Sequence, residues 1–339
     1  MTLTDILKKS RDAESFTREE LVRMLSYPAH SPESFALMSE ARRISEAVCD
    51  GKAEIHGQFA LDLAPCACNC LWCSFAKKNN VFKDQWRISS EEAVEMALGF
   101  ERQGANAVLV MTTAAYPFSL LLDMAKEIKK NLKPGTVFIA NTSDRTLPQA
   151  QQMKEAGFEG VYHALRLREG IENEVEPAQR LASIRHFQAA GLWVGTCVEP
   201  IGPEHSNSEL AEMIQFTASI RPAFSGAARR IPIPGTTMAE RGMISELRMA
   251  QCVAVTRIAM PRETRGNCTH EPCTLGTAAG ATLLWAEMGA NPRDDQEKTE
   301  KNRGKDVQYC KDIYRESDWR VLDGPSMHFS SAPAPLKTP

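Results

Sequence analysis

The sequence predicts an α/β protein built as a (β/α)8 barrel, complete or nearly so, and three observations lead there. Short apolar runs recur about eight times after residue 50. Most are followed by a loop and an amphipathic helical stretch, the alternation that builds a parallel sheet. The chain has 339 residues, which suits one barrel with additions at its ends.

Taken in order, residues 1–50 read as a helical cap. "SFTREELVRML" opens with capping-type Ser and Thr followed by acidic residues, and "SPESFALMSEARRISEAVC" has helical apolar spacing. Candidate strands follow at 54–63, 107–113, 136–142, 160–166, 193–199, 224–232, weakly at 262–266, and at 281–287. Between them lie helical stretches such as "SEEAVEMALGFERQGA", "SLLLDMAKEIKKNL" and "ISELRMAQCVAVTRIAM". The barrel is expected over 51–289. Residues 290–339 are expected to be a polar, partly helical extension ending in the frayed tail "SSAPAPLKTP".

Composition narrows the function classes. With 40 basic and 43 acidic residues the net charge is −3, and no long run of one sign offers a platform for nucleic acid. The N-terminus lacks the apolar core of a signal peptide, and no stretch reaches the roughly 18 apolar residues of a membrane span. A cytoplasmic protein with reduced thiols is expected. Ten cysteines in such a setting argue for metal ligation where they cluster.

They cluster in "APCACNCLWCSF", residues 64–75, on the loop after the first candidate strand. Cys66, Cys70 and Cys73 give C-x3-C-x2-C, with Trp72 before the last and Cys68 left over. Three thiolates on a four-iron cube leave one iron open to an outside ligand. A structural zinc on all four cysteines is the competing reading. The spacing, placed after the first strand of a barrel, favours the cluster.

This loop resembles that of the radical SAM superfamily. The resemblance implies a [4Fe–4S] cluster whose open iron chelates S-adenosylmethionine, an external electron donor, and a 5′-deoxyadenosyl radical that removes hydrogen from unactivated carbon. Over roughly 50–290 the chain is similar to the biotin-synthase-like group, which includes biotin synthase, two-protein lipoyl synthases, methylornithine synthase and hydrogenase maturases. "VEPIGPEHS" (198–206) resembles the group's adenine-flanking segment, which implies cofactor contacts for Glu199, Ile201 and Glu204. "RIPIPGTTMA" (230–239) and "AVTRIAMPRE" (254–263) resemble its later motifs. By position Trp72, Thr112, Thr113 and Asn141 are further cofactor-binding candidates.

Arg166 and Arg168 alternate with Leu165 and Leu167, so both are expected on one side of their strand. They would meet a carboxylate of the cofactor or substrate, or pair with Glu169 or Glu199. Arg229 and Arg230 pose the same choice, and His163 reads as a packed strand histidine.

The departures from biotin synthase matter as well. Its second-cluster cysteines are matched here by Met111 or Thr112, Ala140 or Asn141, and Gly195, with Cys197 two residues on. Its ribose-binding Asn/Asp pair is matched by Ala164 and Arg166. In their place stand Cys268 and Cys273 in "RGNCTHEPCTLG" and Cys310 in "DVQYCKDIY". These three are candidate ligands of an auxiliary iron–sulfur cluster; a zinc site with His270, or plain buried thiols, are the alternatives. Cys49 and Cys252 read as core residues. The activity expected from this resemblance is sulfur insertion at unactivated C–H bonds, as in biotin synthase or one component of a two-protein lipoyl synthase. The substrate would be a small molecule or a carrier-bound acyl group, with a second radical SAM protein as a candidate partner. Rearrangement, methylation or hydrogenase-cofactor maturation without sulfur insertion is the enzymatic alternative, and a zinc-binding scaffold module is the non-enzymatic one.

Overall fold

A computed structural model describes residues 2–63 and 65–329; the expected frayed tail, 330–339, lies outside the described residues. The chain opens with helices α1 (Leu3–Arg11), α2 (Arg18–Ser26) and α3 (Pro32–Val48). Thr2, Thr17 and Ser31 cap them by accepting a backbone N–H three residues on. Their apolar faces, including Leu21, Met24, Leu37 and Ile44, are buried in one cluster with Leu210, Ile214, Met249 and Val253. The cap therefore rests on the outer helices of the barrel.

Strand β1 (Lys52–Ala60) leads to a short antiparallel ribbon, β2 (Asp62–Leu63) with β3 (Trp86–Arg87), which brackets the cysteine loop. Then strands and helices alternate: α4 (Ser90–Gln103), β4 (Ala107–Met111), α5 (Phe118–Asn131), β5 (Val137–Asn141), α6 (Leu147–Glu155), β6 (Gly160–Tyr162), α7 (Pro177–Ala189), β7 (Trp193–Gly195) and β8 (Val198–Ile201). The series continues with α8 (Asn207–Ser219), β9 (Phe224–Arg229), α9 (Glu246–Ala259), β10 (Gly266–His270), α10 (Thr274–Ala278), β11 (Leu283–Met288), α11 (Val307–Glu316) and β12 (Arg320–Val321).

The parallel sheet runs β7-β6-β5-β4-β1-β11-β10-β9-β8. Its two end strands are consecutive in the chain, separated by Thr196 and Cys197 alone. They are two halves of one interrupted strand: Trp193 pairs with Gly160 on one side, and Val198 pairs with Ala227 on the other. The sheet thus closes on itself as an eight-stranded barrel, the expected fold.

Two strand expectations shift. The weak strand anticipated at 262–266 is a turn, with Thr264 N–H donating to Pro261 O, and the strand begins at Gly266. The run 160–166 is strand only to Tyr162, because residues 167–170 turn and Arg168 takes a positive φ of 55°.

Outward-facing Ile55, Phe59, Val108, Val110 and Phe138 pack against the helices, while Leu109, Ile139, Phe224, Leu283 and Trp285 fill the interior. At Gly226 the β9 backbone lies so close to β10 that a Cβ would sit 2.1 Å from the Cys268 carbonyl oxygen. Residues 290–329 pack on the barrel. Helix α11 lies on β1, where the Tyr314 hydroxyl donates to Glu54 O at 3.0 Å, and β12 pairs with β1. Ser326 N–H bonds Asn106 O just before β4, and Phe329 lies against Gly160 at the start of β6. The segment 320–329 therefore covers the N-terminal end of the barrel. Among the described residues no helix is long and apolar enough to cross a membrane.

Candidate active site

At the opposite end, where the strands finish, a cavity of about 200 Å³ opens. Its walls come from β1 (Gln58), β4 (Met111), β5 (Asn141), β6 (Tyr162), β8 (Glu199), β9 (Arg229), β10 (His270) and β11 (Trp285). Chemistry on this fold sits at that end, because the loops after the strands can vary without disturbing the barrel.

The cysteine loop forms one side of the cavity, and Cys66, Cys68, Cys70, Cys73 and Trp72 all line it. Backbone bonds fold the loop: Cys66 N–H donates to Phe75 O at 2.7 Å, and Cys73 N–H to Cys70 O at 3.0 Å. Asn79 clamps it, its carboxamide nitrogen lying 3.2, 3.3 and 2.8 Å from the carbonyls of Cys70, Leu71 and Cys73. The rest of the barrel holds the outside of the loop through Leu71 N–H to Glu172 O, Ser74 N–H to Pro292 O and Glu174 N–H to Cys68 O. Hydrogen bonds to residues outside the motif thus help to shape the loop.

A hydrogen bond from Cys68 lowers the Cys66 thiol to about 6, whereas burial raises Cys70 to about 11 and lifts Cys73 as well. Buried thiols of this kind become stable thiolates only with a compensating cation. Soft sulfur donors converging on one cavity suit an iron–sulfur cluster. The residues present fit that group, and Cys68, which faces the same cavity, remains the sulfur outside the C-x3-C-x2-C spacing.

The cofactor-binding candidates divide. Thr112, Thr113, Asn141, Arg166 and Glu199 line the cavity. Thr113 is fixed through its N–H and hydroxyl to Asp62 at 2.8 and 2.6 Å, and Arg166 Nε lies 3.3 Å from Glu199. Arg168 does not join Arg166: the turn carries it outward to Glu209 at 2.7 Å and Glu172 at 3.2 Å. The alternation argument fails there because the strand has already ended.

Ile201 is buried among apolar residues outside the barrel, and its carbonyl accepts the Arg230 N–H. Glu204 is not among the residues that line the cavity; it pairs with Arg230, which does line it. Burial would raise the Glu204 carboxyl, but the Arg230 guanidinium holds it at about 2.

Cys268, Cys273 and Cys310 do not share a site. Cys268 packs inside the barrel with Cys197 and Trp285. Cys273 faces α9 and the N-terminal helices, capping α10 with its sulfur. Cys310 is buried under α11, 3.7 Å from Trp285 O. Their places on an inward strand position, a helix cap and a helix underside send the thiols in different directions, so these residues do not fit an auxiliary cluster. Nor do they form a zinc site with His270, whose Nε2 is engaged by Glu287 at 3.1 Å.

Several site residues carry no sequence signal. Arg180 and Arg293 reach the cavity from α7 and from the loop after β11. Behind His270, Glu287 accepts from Gln58 at 2.7 Å and pairs with Arg303. His163 is a buried, bonded strand-end histidine as expected, with its Nε2 2.8 Å from Asp144. Only the polar residues Gln58, His270 and Glu287 at strand positions hinted at this floor.

The comparisons with known proteins agree with this picture. No family model matches the chain. Biotin synthase of Synechococcus elongatus is 25% identical over 209 residues, which is 58% of this chain and 64% of that protein. The chain thus matches somewhat under two thirds of that relative's length. Among solved structures, methylornithine synthase superposes with a TM-score of 0.78 at 15% identity over 96% of this chain and 98% of that one. The FeFe-hydrogenase maturase HydG from Carboxydothermus hydrogenoformans gives 0.75 at 18% identity, over 94% and 78%. On its cysteine loop, its barrel and these relatives together, the chain is similar to the biotin-synthase-like group of the radical SAM superfamily.

Proposed function

We propose that the protein is a radical enzyme that uses S-adenosylmethionine and a [4Fe–4S] cluster on Cys66, Cys70 and Cys73 to remove hydrogen from a small organic anion. The observation that carries this reading is the C-x3-C-x2-C loop presented to a cavity at the C-terminal mouth of the barrel. The cluster and its bound cofactor supply a radical strong enough to attack unactivated carbon. The chain's own residues do the rest. Trp72 and Phe75 shield the loop, Thr112, Thr113 and Asn141 offer polar contacts, and Arg166 presents a cation oriented by Glu199.

The substrate class follows from the wall charges. Five arginines, at 166, 180, 229, 230 and 293, line the cavity; each pairs with a carboxylate, respectively Glu199, Asp144, Glu246, Glu204 and Glu271, and of these only Glu199 is itself part of the wall. Such a wall suits a carboxylate or phosphate group. An external electron donor completes the requirement.

Sulfur insertion, of the lipoyl synthase or variant biotin synthase type, is the second reading, and the biotin synthase relatives favour it. The separation of Cys268, Cys273 and Cys310 weighs against it, as these thiols do not supply a second cluster. In that reading a carrier-bound acyl group and a second radical SAM protein are the substrate and partner.

The test is anaerobic reconstitution followed by reduction with S-adenosylmethionine present. Formation of 5′-deoxyadenosine by wild type and its loss in Cys70→Ala support the reading; bound zinc without iron, and no cofactor cleavage, would overturn it. About four irons per chain, unchanged in Cys268→Ala/Cys273→Ala, is expected; about eight, falling to four in the variant, would restore sulfur insertion.

A further inference from the structure

The interior face of β1 is unusual for a barrel core. Positions 54, 56 and 58 point inward and read Glu, His, Gln, where apolar residues normally fill the layers. Gln58 belongs to the cavity wall. Glu54 and His56 lie deeper, toward the covered end, where His328 from the C-terminal segment joins them. All three are buried, at 2%, 0% and 3% exposure. Glu54 Oε2 lies 2.9 Å from His56 Nε2 and 3.3 Å from His328 Nδ1.

Two features are unexplained by hydrogen bonding. Neither ring nitrogen of His328 makes a hydrogen bond, although Nδ1 points at the carboxylate, and His56 Nδ1 has no partner either. Buried imidazole nitrogens are normally satisfied. The segment that carries His328 is also fixed around the same carboxylate: Met327 N–H donates to Glu54 Oε1 at 2.7 Å, and the Ser326 hydroxyl bonds Oε2.

We propose that Glu54, His56 and His328 form a structural site for a divalent transition metal of the zinc class, bolting the C-terminal segment to the floor of the barrel. One ligand atom from each residue lies within 4.8 Å of the others. Ligands at about 2.0–2.2 Å from a tetrahedral zinc are themselves about 3.4 Å apart, so the two Glu54–histidine spacings of 2.9 and 3.3 Å need little adjustment. Two imidazoles with one carboxylate select zinc-like ions over calcium or magnesium, which take oxygen ligands. The site is separate from the cysteine loop, at the other end of the barrel, and does not depend on the proposed chemistry there.

Metal analysis of the full-length protein, reconstituted with iron first so that the cysteine loop is filled, tests it. After equilibration with Zn²⁺ and removal of free metal, wild type should hold about one zinc per chain. His328→Ala should bind it at least tenfold more weakly with its iron unchanged. Co²⁺ in place of zinc should give d–d absorption without a thiolate charge-transfer band. No retained zinc in wild type, equal zinc in the variant, or a thiolate band would each overturn the proposal. Should His328→Ala fail to fold, X-ray absorption of the wild-type zinc form decides alone: nitrogen and oxygen ligands support the site, and sulfur ligands refute it.

Discussion

His163 shows how burial sets the behaviour of a single side chain at the cavity wall. Burial first, then the Arg180 guanidinium, pushes its imidazole down to about 3, against the upward pull of Asp144. The ring is thus neutral in the folded protein. Arg180 Nη1 lies 3.2 Å from its Nδ1 and 2.9 Å from its Nε2, and Asp144 lies 2.8 Å from Nε2. The unfolded chain protonates this histidine near pH 6.5, so between about pH 6.5 and 3 the unfolded state holds the extra proton. The stability from His163 is complete above that window and is lost as pH falls through it. The slope is about 1.4 kcal/mol per pH unit at most. Chemical denaturation of wild type and His163→Gln across pH 4–7 should show the variant with the shallower dependence; parallel curves would mean that His163 is not held neutral. Residue by residue, sequence legibility followed locality. The cysteine spacing could be read from neighbouring residues and a packed His163 from its place on a candidate strand, but not its partners Asp144 and Arg180, 19 and 17 positions away. The different fates of Arg166 and Arg168 could not, because they depend on where the strand stops and on Glu209, forty-one positions away.

The element that matters most for function is the cysteine loop, and its shape comes from residues outside the motif. Asn79 satisfies carbonyls of three loop residues and accepts from the Thr237 N–H and hydroxyl at 3.0 and 2.8 Å. One carboxamide therefore ties the loop to the segment after β9. Replacing it with alanine leaves those groups without their partner, a cost of about 1–3 kcal/mol. Asn79→Ala should fold, lose stability by that amount in chemical denaturation, and release iron to a chelator several-fold faster than wild type. Unchanged iron release would show that the cysteines alone fix the loop. The strands were legible where they are long and apolar, as at 107–111 and 137–141. The interruption of the strand at Thr196 and Cys197 was not, because its cause is closure: one half must follow β6 and the other β9. Likewise the turn at 261–264 displaced a strand whose start is fixed by Gly266, where a Cβ would come within 2.4 Å of Phe224.

At the scale of the molecule the two ends of the barrel carry different loads. The strand ends hold the cysteines and arginines, whereas the strand starts are covered by residues 320–329, a segment whose sequence gives no hint that it packs there. Asn106 is the fastening among uncharged groups. Its buried carboxamide accepts from Ile55 N–H at 2.8 Å and donates to the carbonyls of Leu322 and Gly324 at 2.9 and 2.7 Å. Asn106→Ala would leave a buried N–H and two carbonyls without partners, and at about 1–3 kcal/mol for each such group the whole loss is several kcal/mol. The damage should be asymmetric. Hydrogen exchange in the variant should accelerate first in 320–329 and at the start of β1, while iron content of the reconstituted protein and the exchange of residues 66–79 stay at wild-type levels. The cysteine loop is held by Asn79 and by backbone bonds to Glu172, Glu174 and Pro292, none of which touches the covered end. If iron retention fell in step with the protection of 320–329, the two ends would be one cooperative unit, and the C-terminal segment would have to be counted as part of the active site's support.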